Sequence, residues 1–161
     1  MSGRERGTRP PGQVKEVTSL SNPLVKDIKA LTLKKFRDRE RAFMAEGLKL
    51  VLDALDSGWA IRMLIYAKAG RGNAAVEKAA ARTVAAGGLV LEVSEKVLSA
   101  ITRRDNPQMV VGVFEQRWLP LKEVTPKGED LWVALDRVRD PGNLGTIIRT
   151  VDAVGARGVV L

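Results

Sequence analysis

From Ala42 to Gln116 the chain alternates short apolar runs with helix-patterned stretches. AFMAEG (Ala42–Gly47), IRMLIYA (Ile61–Ala67), LVLEV (Leu89–Val93) and QMVVGVFEQ (Gln108–Gln116) have the aliphatic density of strands. Between the first two, Leu48, Val51, Leu52 and Leu55 recur at helical spacing, and Gly58 ends the pattern. NAAVEKAAARTVAAGG reads as an alanine-rich helix closed by Gly87 and Gly88, and SEKVLSAIT as a short helix capped by Ser94. Upstream, Ser21 or Asn22 is placed to cap a helix with Pro23 at its first position. Leu24, Ile28 and Leu31 give that helix one apolar stripe. Residues 17–116 therefore predict α, β, α, β, α, β, α, β, an α/β sandwich in which helices pack on a sheet. No G-x-G-x-x-G is present, so the Gly87-Gly88 pair ends a helix and forms no dinucleotide loop. Residues 117–130, with two prolines and mixed charge, read as a linker.

Charge is unevenly placed. The net +8 arises from 27 Lys and Arg against 19 Asp and Glu, and residues 1–41 hold 11 of the former against 5 of the latter. Lys34, Lys35, Arg37, Arg39 and Arg41 crowd around Phe36, the arrangement of a phosphate-contacting rim that includes an aromatic. Arg103 and Arg104, in the loop Thr102–Pro107, are a second candidate contact. A basic front on a near-neutral body suits a polyanion, most simply nucleic acid. The same residues also suit a solubilising surface and an ordinary charged loop. Residues 1–16 are rich in Gly, Pro and Arg and predict a disordered basic tail. The chain has no Cys and no His, which removes disulfides, thiol nucleophiles, His general bases and Cys/His metal sites. No metal is expected. The longest stretch without a charged residue is nine, as at Val17–Val25, against the ~20 apolar residues that span a bilayer. No membrane association is expected.

The last stretch, LWVALDRVRDPGNLGTIIRTVDAVGARGVVL (Leu131–Leu161), reads as strand, sharp loop, helix, strand. Asn143 can cap a helix from about Leu144 to Val154, and Gly155 stops it. Gly145 and Arg149 are four apart and share a helix face. A helical side chain leans toward the N-terminus, so Arg149 would reach back over the gap that Gly145 leaves. Free N–H groups of the first turn and a guanidinium suit a phosphate. A plain structural reading stands beside this one: a cap at Asn143, a turn at Pro141-Gly142, and an Arg149–Asp152 pair.

Val138, Asp140, Pro141, Asn143, Gly145, Arg149 and Thr150, followed by Ala153, Gly155, Ala156, Val159 and Leu161, closely resemble the first motif of the SpoU (TrmH-like) ribose methyltransferases of the SPOUT superfamily. The match covers about a fifth of the chain. More loosely, NPLVK, RAFMAEG and ITRRDNPQMVVGVF resemble the substrate-binding domain that precedes the catalytic domain in many such enzymes. The resemblance implies a small α/β RNA-binding domain (17–116), followed by the start of a trefoil-knot SPOUT domain (131–161). It implies methyl transfer from S-adenosylmethionine to a ribose 2′-hydroxyl in structured RNA, with ribosomal RNA expected ahead of transfer RNA. It further implies a cytoplasmic homodimer.

The family's remaining motifs, with its cofactor-binding loop, are expected beyond Leu161. No cofactor-binding residue is therefore expected within the chain, and the 161 residues alone are expected to be inactive. By resemblance Arg149 activates the hydroxyl. Because a guanidinium stays protonated, the residue can instead steer a phosphate and stabilise the forming alkoxide. Asn143 would fix the geometry, Gly145 would permit close approach, and Asp140 and Pro141 would shape the loop. Two other functions remain compatible with the residues: an RNA-binding module without catalysis, and an unrelated nucleotide-binding α/β domain.

Overall fold

The computed structural model describes residues 12–105 and 108–161. The chain divides into two compact units, residues 1–117 and 118–161. Most of the expected basic tail lies outside the described residues.

In the first unit the described elements run β1 (Gln13–Val17), α1 (Pro23–Ala30), α2 (Lys34–Glu40), β2 (Ala42–Glu46), α3 (Leu48–Asp56), β3 (Ile61–Ala67), α4 (Ala74–Ala85), β4 (Leu89–Val93), α5 (Glu95–Thr102) and β5 (Val110–Glu115). They build one five-stranded sheet in the order β1-β4-β3-β5-β2. β1, β4 and β3 are parallel, while β5 runs antiparallel to both β3 and β2.

Strand alternation divides the core in two. Ile65 and Leu91 face one way and join Val25 and Ile28 of α1 with Val97, Leu98 and Ile101 of α5. Their neighbours Leu64 and Val90 face the other way and join Val51 and Leu55 of α3 with Val76 and Ala79 of α4. The expected α/β sandwich is thus present, with helices on both faces. On the α3–α4 side Gly112 lets the Phe114 ring lie against the sheet. A Cβ there would press on that ring and come within 3.0 Å of Val51 Cγ2.

The caps follow the sequence closely. Asn22 Oδ1 accepts from Leu24 N at 2.9 Å, with Pro23 opening α1. Ser94 Oγ accepts from Val97 N. Gly58 and Gly87 take positive φ beyond α3 and α4.

Two boundaries differ from expectation. The tail expected over residues 1–16 overlaps β1, whose Gln13–Val17 pair in register with Leu89–Val93. Only Val17 of this strand is buried, so an edge strand with one inward residue carries almost no apolar signal. The first helix is also two helices. Arg37 Nη1 donates to Leu31 O at 3.1 Å and to Thr32 O at 2.9 Å. It satisfies carbonyls where α1 ends and fastens α2 there.

In the second unit β6 (Trp132–Ala134) pairs in parallel with β7 (Gly158–Val160) across α6 (Pro141–Ala153). A one-turn 3-10 helix, Leu121–Glu123, interrupts the stretch expected to be plain linker. The Trp132 indole packs over Gly158, where no Cβ fits. Its Nε1 is buried without a hydrogen-bond partner among the described residues.

Candidate active site and nucleic-acid interface

In the second unit the loop after β6 turns sharply into α6. The helix starts three residues earlier than the sequence suggests. Asp140, not Asn143, is the N-cap: Asp140 Oδ1 accepts from Asn143 N at 2.7 Å. Pro141 takes the first helical position, where a missing N–H costs nothing. Both Asp-Pro and Asn-Leu could begin a helix, and the proline, with φ already set, wins. Asn143 therefore sits inside the first turn. Gly155, at positive φ, closes α6, with Ala156 N donating to Val151 O.

Arg149 does lean back as expected. Its Nη1 lies 3.5 Å from where a Gly145 Cβ would be. Its Nη2 donates to Thr146 Oγ1 at 3.1 Å, and that hydroxyl donates to Gly142 O at 3.0 Å. The chain Arg149–Thr146–Gly142 ties the guanidinium to the first turn, and its partner is Thr146 instead of Asp152. Thr146 was not singled out from the sequence; its place three residues before Arg149 was the available signal. Asn143 is about 120° around the helix from Arg149. It lines an open cleft of about 470 Å³ with Asp136, Arg137, Arg139, Asp140 and Thr146. Arg137 holds a left-handed φ of 57° in this loop. The structure thus brings Gly145 and Arg149 together and sets Asn143 to one side, with Thr146 between.

S-adenosylmethionine would need apolar walls for its adenine. Of the residues lining this cleft only Val138 and Ile147 are apolar, and the cleft is open. This cleft by itself offers the adenine two apolar side chains.

In the first unit the basic residues have unequal freedom. Lys34, Lys35, Arg39 and Arg41 are exposed. Lys35 Nζ stands 5.0 Å and the Arg39 guanidinium carbon 4.8 Å from the Phe36 ring centroid. Arg39 also pairs with Glu40 at 2.8 Å. Arg37, engaged with two carbonyls, is a structural residue; the sequence gives no means to separate a carbonyl partner from a phosphate. Arg41 and Arg103 both occupy left-handed C-cap positions, with φ 51° and 57°. Arg104 Nε is 3.2 Å from Glu46 Oε2, while Glu46 Oε1 accepts from Gln108 N at 3.1 Å. Glu46 therefore holds both Arg104 and the Gln108 backbone, and partly neutralises Arg104. Asn106 and Pro107 lie outside the described residues. The two basic groups sit at opposite ends of β2, roughly 13 Å of strand apart. Arg62 was not anticipated. It joins the first group, its Nη1 donating to Glu40 O at 2.8 Å.

A separate polar cluster ends β3 and β4. Tyr66 and Glu92 are register partners. The buried Glu92 carboxylate accepts from Tyr66 Oη at 3.0 Å and from Arg71 at 2.7 and 3.2 Å. The Arg71 hydrogen bond holds the Glu92 carboxyl below its ordinary pKa, against the opposing effect of burial. Burial and the Glu92 contact together raise Tyr66.

Residues 22–112 match the family described as MRM3-like substrate binding domain. A crystal structure of an rRNA methyltransferase from Sinorhizobium meliloti is 68% identical, with a TM-score of 0.83 over 92% of this chain and 54% of that one. The SpoU methyltransferase AviRb from Streptomyces viridochromogenes, in complex with AdoMet, is 28% identical, with a TM-score of 0.72 over 86% of this chain and 52% of that one. This chain belongs to the SpoU family.

Among its curated SpoU-type relatives, the Bacillus subtilis protein named 23S rRNA (guanosine(2553)-2′-O)-methyltransferase RlmP is 34% identical over 148 residues, or 92% of this chain and 54% of the relative. The chain spans about half the length of the curated relatives it matches, and corresponds to the amino-terminal portion of the SpoU family. The first unit contains the SpoU substrate-binding domain match. The second carries the motif residues Asp140, Asn143, Gly145 and Arg149. Among the described residues of this SpoU-family chain, no helix is long and apolar enough to cross a membrane.

Proposed function

We propose that this chain supplies the RNA-binding domain and the first catalytic motif of a ribosomal RNA 2′-O-ribose methyltransferase. The observation that carries the reading is Arg149 folded back over Gly145 and fastened to Thr146, on a helix whose start is fixed by Asp140 and Pro141. A guanidinium lying close over a residue without a side chain, and exposed to solvent, offers N–H donors held near the start of the helix. A ribose–phosphate unit of RNA can accept from those donors.

A 2′-hydroxyl becomes nucleophilic as its proton leaves and charge develops on oxygen. A positioned, permanently cationic donor stabilises that charge without reorganising. Arg149 is therefore assigned to the ribose oxygen or its adjacent phosphate, and Thr146 is a positioning residue. Asn143, on the neighbouring face, is assigned to orient the sugar by hydrogen bonding. S-adenosylmethionine supplies the methyl group in the complete enzyme. These 161 residues alone are expected neither to bind it nor to turn over. Lys34, Lys35, Arg39 and Arg41 hold RNA phosphates, and Arg103 is a weaker contact. The complete enzyme acts in the cytoplasm as a homodimer.

The test replaces Arg149 by Ala in the full-length enzyme and measures methyl incorporation into ribosomal RNA beside RNA affinity. Loss of one transition-state donor should lower the rate by about 10²–10³ while affinity changes little. An unchanged rate would sink the assignment. Strong RNA binding with no incorporation by the unaltered enzyme would favour a binding module.

A further inference from the structure

In the first unit an open cleft of about 390 Å³ lies between α1, α2 and strands β2, β3 and β5. Its floor is apolar and buried, made by Ile28, Leu31, Ala42 and Val113. One wall is the Phe36 ring, only partly buried and outside both core clusters. Lys35 Nζ and the Arg39 guanidinium carbon lie over that ring, 5.0 and 4.8 Å from its centroid. Asp27 and Arg62 also line the cleft, with Glu40 paired to Arg39. The wall is fixed in place, because Arg37 ties α2 to the end of α1 through two carbonyls.

A helix that only had to pack would bury Phe36 and would not need cations beside it. The combination present is an aromatic face, an apolar floor and exposed positive charge within one side chain's reach. That is the set of groups that binds unpaired bases, where rings stack on aromatics and phosphates lie along cations. The volume is near the low end of the range for ligand clefts, about 300–1,000 Å³, which suits one base and its sugar.

We propose that this cleft takes one unpaired nucleobase of a single-stranded RNA segment: the exposed Lys35 and Arg39 side chains swing off the Phe36 ring, the base stacks there, and the neighbouring phosphates lie on Lys34, Lys35 and Arg39. The proposal rests on the RNA reading of this domain and adds the kind of RNA it recognises: a loop or bulge whose base is turned outward. A paired base cannot enter, because duplex RNA keeps its bases stacked and offers mainly shape and backbone. The Asp27 carboxylate lining the cleft accepts only, so it favours bases bearing an exocyclic amino group, cytosine, adenine or guanine, over uracil.

The experiment titrates the full chain into a short RNA carrying 2-aminopurine at one unpaired position, and into a blunt duplex of equal length. AMP serves as a free-nucleotide competitor. Phe36→Leu keeps apolar volume and removes the stacking face, and Ala30→Leu fills the cleft from the end of α1. Circular dichroism melting checks that both variants fold. Stacking should change 2-aminopurine fluorescence saturably. Each variant should weaken binding to the unpaired RNA about tenfold and leave duplex binding within about twofold. Equal losses on both RNAs, or no loss on either, would overturn the proposal. So would competition by AMP as strong as that of the unpaired strand, which would mark a nucleotide site. A Lys34→Ala/Lys35→Ala variant separates the two levels of argument. If it weakens binding while Phe36→Leu does not, the RNA reading stands and the base cleft falls. If the unaltered chain binds no RNA at low salt, the RNA reading itself falls.

Discussion

Replacing Gly145 by Ala should make the protein more stable and less active, and the opposite signs make the test sharp. Gly145 lies within α6 at an ordinary helical φ, so alanine is conformationally acceptable. The new Cβ would meet one atom within 4 Å, Arg149 Nη1 at 3.5 Å, which is ordinary van der Waals contact. No backbone has to move. The helix gains the difference between glycine and alanine, roughly 0.8–1.0 kcal/mol. The same methyl stands at contact distance from the guanidinium, beside the donors that the proposed mechanism assigns to a ribose–phosphate unit. Displacing that unit by about 1 Å costs on the order of 10²-fold in rate. Amide hydrogen exchange over 141–153 reads the first effect, and methyl incorporation by the full-length enzyme reads the second. Protection in α6 should rise about four- to fivefold, the equivalent of that free energy at 25 °C. If protection falls, the glycine is there for packing. If protection rises and the rate is unchanged, the Gly145 side of Arg149 is not where RNA approaches, and the site assignment fails.

Gly112→Ala should destabilise the first unit by about 1–3 kcal/mol through overpacking against Phe114 and Val51, read from the urea midpoint. Glu92 has a lowered carboxyl pKa in the fold, so it contributes stability above the unfolded carboxylate value near 4.3 and loses it as pH falls through its lower folded value. Glu92→Gln should therefore cost stability at pH 7 and flatten the loss between about pH 5 and 3; parallel acid limbs for the two proteins would contradict this. Arg41→Gly should raise stability by up to about 1 kcal/mol, because Arg41 holds φ 51°. It should also weaken RNA binding and reduce the salt slope by about one contact, measured across a salt titration; a slope unchanged from the parent would remove Arg41 from the interface.

Strands β2, β3, β4 and β5 were legible because each is dense in buried aliphatics on two faces. β1 was not, since four of its five residues are exposed and its place depends on pairing with β4. The back-reach of Arg149 was legible because helix geometry alone dictates it. The Thr146 tether was not, because a threonine at that spacing is common and only coordinates show its hydroxyl aimed at the guanidinium. Asn143 was overvalued as a cap because Asp140-Pro141 offers the same signal three residues earlier. Among the basic residues, charge showed where the cations are and not what they touch. Arg37 turned out to hold backbone carbonyls, and Arg104 a carboxylate.

β1 has a consequence for how the chain comes off the ribosome. Val14 pairs with Val90, so β1 must wait for its neighbour among the described residues until β4 has been synthesised. At roughly 5–20 residues per second the delay is roughly 4–15 s. A strand left open so long invites wrong pairing if it is apolar. The QVKEV stretch answers with a Lys and a Glu among its few apolar residues and with just one buried side chain. The sheet can nucleate from β2 to β5 and accept β1 last, as a closing edge. Nascent-chain arrest before and after β4 should show β1 protected only in the longer chains.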